Sequence, residues 1–328
     1  IWGETTTVLI DYALAYDTGT NSLPGSCRYL MTDGNRLLMA GSWSATGKRS
    51  RVWFTPVLGA SDIGDDERVP IDNYLDLDDR DGGYITGFGG PILGSIYVFK
   101  ERQIWKLVPT GLAASPYRAI CLSKTIGAIS YKTIVNAEDE SGNPSIYFLS
   151  YRGPYRYGSG GLHYIGNNIE DIWSSDGALG GVNYVATWPA HGVYYADRHQ
   201  LWWYLPMGTD TAPSIRIVYD TMLGACSRAD GASAAASASC LFSSSLGVST
   251  HALVPFAAIA GGFVLYCDAG THDNGTVFKA YVVTKPYLPV GFGRSCGVSD
   301  PHVTGKVTTS TVTLTATRDL GAQTRSVS

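Results

Sequence analysis

The sequence repeats one pattern, an aromatic-rich β-hairpin. Its clearest copy is GSIYVFKERQIWKLV at residues 94–108, where an apolar run, a polar corner and a second apolar run follow one another. Two such runs around a short polar turn predict a pair of antiparallel strands. Related patterns occur at residues 36–56, 144–158, 191–206 and 261–283. Any fold for this chain therefore has to place several hairpins in series.

The spacing of the hairpins predicts the architecture. With Val52, Ile96, Ile146, Val193 and Val264 taken as equivalent points, neighbouring copies are roughly 45 to 50 residues apart, except for a longer last interval. This period is typical of four-stranded propeller blades. No long stretch has apolar residues at helical spacing. We therefore predict an all-β fold, a β-propeller of about five to seven blades.

The domain organisation follows from the same patterns. We assign residues 1–288 to the propeller, with residues 229–249, rich in Ala and Ser, as a low-complexity insertion or mobile loop. Residues 289–328 are either closing strands or the start of a second β domain, because alternating Thr and Val at residues 303–319 predict a sandwich-like strand pair. The sequence begins at Ile1 and ends at Ser328 inside a strand-like pattern, so we interpret it as part of a longer polypeptide.

Two local patterns complete the secondary-structure prediction. Residues 169–173 predict one helical turn, with Asn167 or Asn168 as its cap. A glycine cluster around Pro91 is interpreted as a sharp turn between strands rather than as a phosphate-binding loop. Its members are Gly87, Gly89, Gly90 and Gly94.

Composition excludes several classes of function. The net charge is -4 and no dense run of Lys or Arg occurs, so the chain has no general attraction to nucleic acid. No apolar stretch reaches the roughly 20 residues that cross a bilayer, and we predict no insertion into a lipid membrane. The six cysteines lack C-x-x-C spacing and are predicted to be buried thiols in a reducing compartment. They are Cys27, Cys121, Cys226, Cys240, Cys267 and Cys296.

Residues 62–81, called here the acidic segment, carry a concentration of carboxylates. Such a run needs solvent, cations or a basic partner beside it, so we predict an interaction surface. The residues assigned to it are Asp62, Asp65, Asp66, Asp76, Asp78, Asp79 and Asp81. We assign no metal site. Asp76, Asp78 and Asp81 are the candidates for a calcium loop, but Arg80 occupies a position where a further oxygen ligand belongs.

No residue pattern predicts catalysis. The histidines have no metal-ligand spacing, and the chain contains no G-x-S-x-G turn, phosphate loop or dinucleotide motif. Residues 271–278, THDNGTVF, match the Asp-box turn of sialidase-like propellers, which stabilises a hairpin. We predict a binding or structural module with no cofactor rather than an enzyme. The candidates for glycan binding are Trp202, Trp203 and Tyr204, whose alternative role is packing inside a blade.

Several phrases in succession resemble virion proteins of tailed bacteriophages, of the β-propeller type found in tail nozzles and tubular tail components. The resemblance covers residues 34–173 and is weaker through residue 220. The phrases are GNRLLMAG (34–41), RVWFTPVLGASDI (51–63), IDNYLDLDDRDGGYITGF (71–88), GSIYVFKERQIWKL (94–107), SIYFLSYRGPYRYG (145–158) and IEDIW (169–173).

The resemblance implies a structural subunit of the tail, repeated in a ring around the DNA-ejection channel. Its partners would be copies of itself and other tail or connector proteins, with DNA only as passing cargo. It implies a location in the virion tail after assembly in the cytoplasm of the bacterial host, and no catalytic residues carry over. The alternative is a carbohydrate-binding or glycan-hydrolysing β-propeller that acts in receptor binding or as a depolymerase.

Overall fold

The structure is a computed structural model. It describes residues 27–34, 36–41, 48–57, 73–113, 115–174, 181–230, 234–241, 253–259, 262–267, 272–273, 276–277, 312–318 and 321–327. Within these ranges the regular secondary structure is almost entirely β, which confirms the predicted all-β class. The exceptions are one α-helical turn, α1 (Glu170–Trp173), and short 3-10 turns at Tyr131–Thr133, Asn167–Ile169, Tyr184–Ala186 and Ala196–Arg198.

Four antiparallel sheets contain four strands each, paired in chain order. Sheet 1 consists of β1 (Tyr29–Asp33), β2 (Arg36–Ala40), β3 (Arg51–Phe54) and β4 (Tyr74–Asp76). Sheet 2 consists of β5 (Ile85–Ile92), β6 (Ser95–Lys100), β7 (Ile104–Pro109) and β8 (Tyr117–Ser123). Sheet 3 consists of β9 (Val135–Glu138), β10 (Pro144–Ser150), β11 (Gly153–Gly158) and β12 (Gly161–Tyr164). Sheet 4 consists of β13 (His191–Tyr195), β14 (Gln200–Leu205), β15 (Ile215–Asp220) and β16 (Ala225–Asp230).

The remaining strands are shorter or lie further along the chain. Sheet 5 has three strands, β17 (Ala236–Leu241), β18 (Leu253–Ile259) and β19 (Phe263–Tyr266). They are followed by β20 (His272–Asp273), β21 (Thr276–Val277), β22 (Val312–Arg318) and β23 (Gly321–Val327). The chain divides into two compact units, Ile1–Asn274 and Gly275–Ser328, so the division falls earlier than the expected boundary at residue 288. In the second unit β22 pairs with β23. Residues 303–319, which were predicted to form a strand pair, contain β22, one strand of that hairpin.

The apolar core lies between consecutive sheets rather than in one central volume. Side chains of sheets 1 and 2 form one cluster and those of sheets 2 and 3 a second. Sheets 3 and 4 share a third cluster, and sheets 4 and 5 a fourth. Sheets 2, 3 and 4 are therefore covered on both faces. This explains why β6, β10 and β14 read as nearly continuous apolar runs, since a strand without a solvated face does not alternate with polar residues.

Strand β6 illustrates the two-sided packing. Successive side chains of a strand point to opposite faces of its sheet. Accordingly Ile96 and Val98 pack toward sheet 1, whereas Tyr97 and Phe99 pack toward sheet 3. All six residues of β6 are buried. Strands β10 and β14 have the same role between their own neighbours.

The first strands of the five sheets are neighbours in space. β1 contacts β5, β5 contacts β9, β9 contacts β13 and β13 contacts β17. They begin at Tyr29, Ile85, Val135, His191 and Ala236, roughly 50 residues apart. The repeat found in the sequence is therefore the repeat of one whole sheet.

The strongest predicted hairpins are confirmed, but their places within the sheets differ. Residues 94–108 form β6–β7, residues 144–158 form β10–β11 and residues 191–206 form β13–β14. Ile96 and Ile146 lie on second strands, but Val193 lies on a first strand and Val52 on a third. The residues taken as equivalent points therefore do not all occupy the same position in their sheets. Strands buried on both faces share one apolar pattern, so the pattern does not show which strand of the sheet it belongs to.

Three local predictions are corrected. The helical turn α1 forms, but Asn167 does not cap it, because Asn167 lies in the preceding 3-10 turn and no side chain caps the helix. Gly87 and Gly89 lie inside β5, where a Cβ at either position would come within 2.9 Å of a neighbouring side chain, so close packing rather than a turn requires them. Part of the low-complexity stretch forms a strand, β17.

Candidate functional site

Lys100 holds the acidic segment from inside the fold. It ends β6, and its side chain is fully buried. Its Nζ donates hydrogen bonds to the backbone carbonyls of Leu77 at 2.8 Å, Asp78 at 2.6 Å and Asp81 at 2.6 Å. Burial lowers the pKa of Lys100, and nearby carboxylates, first that of Asp78, oppose this change. An ammonium has three donors, and here each has an acceptor. The connection between sheets 1 and 2 is therefore fixed by a residue of sheet 2.

Gln103, also fully buried, extends this network. Its Nε2 donates to Asp78 Oδ2 at 3.3 Å, and its Oε1 accepts from Trp105 Nε1 at 3.0 Å. Asp78 has a φ of 48°, in the left-handed region that few non-glycine residues adopt. Lys100 and Gln103 together bind the backbone and the side chain of this residue, which holds the loop in that conformation.

Asp76 is neutralised within sheet 1. Arg51 Nε donates to Asp76 Oδ1 and Arg51 Nη2 donates to Asp76 Oδ2, both at 2.6 Å. The guanidinium also lies 3.3 Å from the centre of the Tyr74 ring. Arg51 is only 6% exposed, so its charge depends on this two-point carboxylate partner. Asp76 therefore has a structural role in addition to any contact with a partner.

Asp79 and Asp81 remain exposed to solvent. The backbone N–H of Gly82 donates to Asp81 Oδ1 at 2.7 Å, which orients that carboxylate. Both residues border an open cavity of about 330 Å³, whose lining combines acidic and basic side chains. The lining residues are Arg49, Ser50, Asp79, Arg80, Asp81, Gly83 and Tyr84. Of the predicted interaction residues, these two carboxylates have the clearest access to a partner.

The other predicted residues of the acidic segment divide into two groups. Asp62, Asp65 and Asp66 lie outside the described residues. For the calcium-loop candidates, in the part of the chain that the structure describes, no group of three His, Cys, Asp or Glu side chains could hold a metal ion. The oxygens that converge between the candidates are backbone carbonyls, and the Lys100 ammonium already lies among them.

The three aromatic residues predicted for glycan binding are internal. Trp202, Trp203 and Tyr204 are 3%, 0% and 2% exposed. Trp203 packs toward sheet 3 and its Nε1 donates to Thr133 O at 3.1 Å, whereas Trp202 and Tyr204 pack toward sheet 5. The expectation that these side chains are exposed is wrong, because β14 is covered on both faces. They have no free ring face on which a sugar could stack.

Two other aromatic residues, Tyr131 and Trp188, are open to solvent and lie beside the buried Tyr29. We call the strand-entry surface the group Arg28, Tyr29, Tyr131, Lys132 and Trp188. Arg28 and Tyr29 lie at the start of β1, Tyr131 and Lys132 in the 3-10 turn before β9, and Trp188 in the segment before β13. The rings of Tyr29 and Tyr131 are 5.3 Å apart and those of Tyr131 and Trp188 are 6.0 Å apart, centre to centre.

Sequence reasoning missed the strand-entry surface because its members are far apart in the chain. The feature that these residues share in the sequence is their position, because each begins the first strand of a sheet or lies just before it. This feature can be used only when the first strand of each sheet is already known.

Cys27, Cys121 and Cys226 have raised rather than lowered thiol pKa values. Burial raises the pKa of Cys27 and of Cys226 to about 12. Cys121 Sγ donates to Ser123 O at 3.5 Å, and Cys226 Sγ donates to Ile165 O at 3.7 Å. Thiols of this kind are poor nucleophiles at neutral pH.

No protein-family model matches the sequence, and no curated protein matches it. Among the described residues, no helix is long and apolar enough to cross a membrane.

Proposed function

We propose that the chain is a β-propeller subunit of a bacteriophage tail, repeated in a ring around the channel through which DNA leaves the particle. The sequence resemblance suggests this assembly, and the arrangement of the sheets supports the propeller. Copies of the chain and other tail or connector proteins are its proposed partners, and DNA passes as cargo.

The observation that carries the proposal is the meeting of non-adjacent sheets. Packed sheets lie about 10 Å apart, so a flat stack would separate sheets 1 and 4 by about 30 Å. Instead Arg28, which enters sheet 1, lies 4.6 Å from the ring centre of Trp188, which precedes sheet 4. Tyr29 likewise meets Tyr131, which precedes sheet 3. The series of sheets therefore curves, and a propeller is the arrangement in which such a series curves around its first strands.

The acidic segment supports a role in assembly. Lys100 holds its backbone and Gln103 holds the Asp78 side chain, so Asp79 and Asp81 project from a fixed loop rather than from a loose one. Charged residues make up only 16% of the chain, which suits a subunit largely covered by partners. Fixed carboxylates would either meet a basic patch of a neighbouring subunit or line the channel, where negative charge keeps DNA from adhering.

Native mass spectrometry of the purified chain tests the proposal. We expect one oligomer with a fixed number of copies, whose stability changes with salt. The double substitution Asp79→Asn with Asp81→Asn should alter that salt dependence. The matched control is the double substitution Asp197→Asn with Asp210→Asn, which removes the same number of negative charges from exposed turns of sheet 4. A monomer at every concentration would contradict the proposal.

Carbohydrate binding is the second candidate function. The residues that the sequence indicated for it are internal, but the strand-entry surface provides exposed aromatic rings with cations beside them. Hydrolysis of a glycan is not proposed.

A further inference from the structure

The strand-entry surface combines open rings with positive charge. Trp188 is 52% exposed and Tyr131 is 39% exposed. Lys132 Nζ lies 5.0 Å from the ring centre of Trp188 and 5.8 Å from that of Tyr131, and Arg28 Cζ lies 4.6 Å from that of Trp188. Segments entering three different sheets build this group, so the fold rather than a local run of sequence creates it.

Hydrogen-bonding groups border the rings. Burial raises the pKa of Tyr84, and the Glu101 carboxylate, to which the Tyr84 hydroxyl donates, raises it further. Burial also raises the pKa of Tyr29, where Arg28 opposes the change and Glu101 adds to it. Glu101 lies next to Tyr84, since its backbone N–H donates to Tyr84 O at 3.2 Å. One border of the surface is basic, and the other offers a carboxylate acceptor.

We propose that the strand-entry surface binds an oligosaccharide that contains carboxylate-bearing sugars. The exposed parts of the Trp188 and Tyr131 rings offer apolar surface to a sugar ring. Lys132 and Arg28, whose charged groups lie over the Trp188 ring, are placed to pair with the sugar carboxylate. Glu101 and Tyr84 can exchange hydrogen bonds with sugar hydroxyls. This proposal concerns a ligand of the single chain and does not rest on assembly into a tail.

An acidic sugar fits these observations better than a single-stranded nucleic acid does. Nucleic-acid binders combine aromatic platforms with a basic groove that follows many phosphates. Here the two cations both lie within about one ring width of Trp188, so they form one compact site rather than a groove. The net charge of -4 adds no general attraction.

Calorimetric titration of the whole chain tests the proposal. The probes are oligomers of galacturonate, fragments of hyaluronan and oligomers of sialic acid, with neutral galactose oligomers and a short oligothymidylate for comparison. We expect at least one acidic oligosaccharide to bind at least about tenfold more tightly than the neutral oligomers, with an affinity that falls as salt rises. Failure of all three acidic probes, or tighter binding of the oligothymidylate, would overturn the proposal.

Variants locate the site on the surface. Trp188→Ala and Lys132→Ala should each weaken binding of the acidic probe at least about tenfold. Phe263→Ala, at an aromatic residue that is 65% exposed on β19, and Lys124→Ala, at an exposed lysine after β8, are the controls and should leave binding unchanged. Circular dichroism of each variant checks its fold. If a folded Trp188→Ala variant binds the acidic probe with unchanged affinity, the proposed glycan site is wrong, but the tail proposal is not affected. The tail proposal is tested separately, by the oligomer that native mass spectrometry measures.

Discussion

Lys100 lies in a polar corner that the sequence assigned to an exposed hairpin turn. Glu101 and Arg102 do reach the surface, but Lys100 and Gln103 are fully buried. The pattern correctly predicted where β6 ends. It could not show that the acidic segment, about twenty residues earlier in the chain, covers two of the four polar residues and supplies their acceptors, backbone carbonyls for Lys100 and the Asp78 carboxylate for Gln103.

The substitution Lys100→Met tests this role of Lys100. It keeps the length of the side chain but removes three charged donors, leaving the carbonyls of residues 77, 78 and 81 without them. We expect the free energy of unfolding to fall by about 3 kcal/mol, measured by urea denaturation. Lys124→Met, at an exposed lysine, should change it by less than about 0.5 kcal/mol. Equal effects of the two substitutions would show that the Lys100 contacts contribute little.

Tyr204 provides a prediction of pH dependence. Burial raises its pKa to about 12, whereas an unfolded tyrosine titrates near pH 10. Below about pH 10 both states keep the proton and stability is unaffected. Between about pH 10 and 12 the unfolded chain loses the proton first, so the stability of the folded state falls as pH rises. Urea midpoints measured across this interval should therefore decrease, and less steeply in Tyr204→Phe. An identical slope in the variant would contradict the assignment.

At the scale of the elements, hairpins were predictable and their positions in the sheets were not. Apolar periodicity located β6–β7, β10–β11 and β13–β14 because local pairing depends on local sequence. Strand β17 was missed because Ala and Ser give it no apolar pattern, although it pairs along its length with β18. Residues 184–186 form a 3-10 turn, which Asn183 caps by accepting a hydrogen bond from Val185 N.

The acidic segment contains carboxylates with different roles, which predicts different effects of single substitutions. Asp76→Asn should lower the free energy of unfolding by about 1 to 3 kcal/mol, because it leaves the buried Arg51 guanidinium without an anionic partner. The lower end of this range allows for the 40% exposure of the Asp76 side chain, because solvent weakens a partly exposed ion pair. Asp79→Asn, at an exposed residue of the same segment, is the control and should change it by less than about 0.5 kcal/mol. Urea denaturation measures both, and indistinguishable curves would contradict the two roles.

At the scale of the molecule, the sequence predicted repetition but not the contacts that repetition creates. Trp202 and Trp203 were candidates for exposed glycan-binding residues, yet they are buried and pack toward opposite neighbouring sheets. Trp188 attracted no prediction, yet it is exposed beside two cations from other segments. Both results depend on how sheets stack and curve, and no local pattern encodes that arrangement.

Single-particle electron microscopy of the purified chain tests the central claim most directly. The account predicts a closed ring of identical copies, in each of which four-stranded sheets surround a common axis with their first strands innermost. It also places the loop that carries Asp79 and Asp81 at a contact between copies or at the channel. Isolated single copies under all conditions, or sheets stacked without a shared axis, would contradict it.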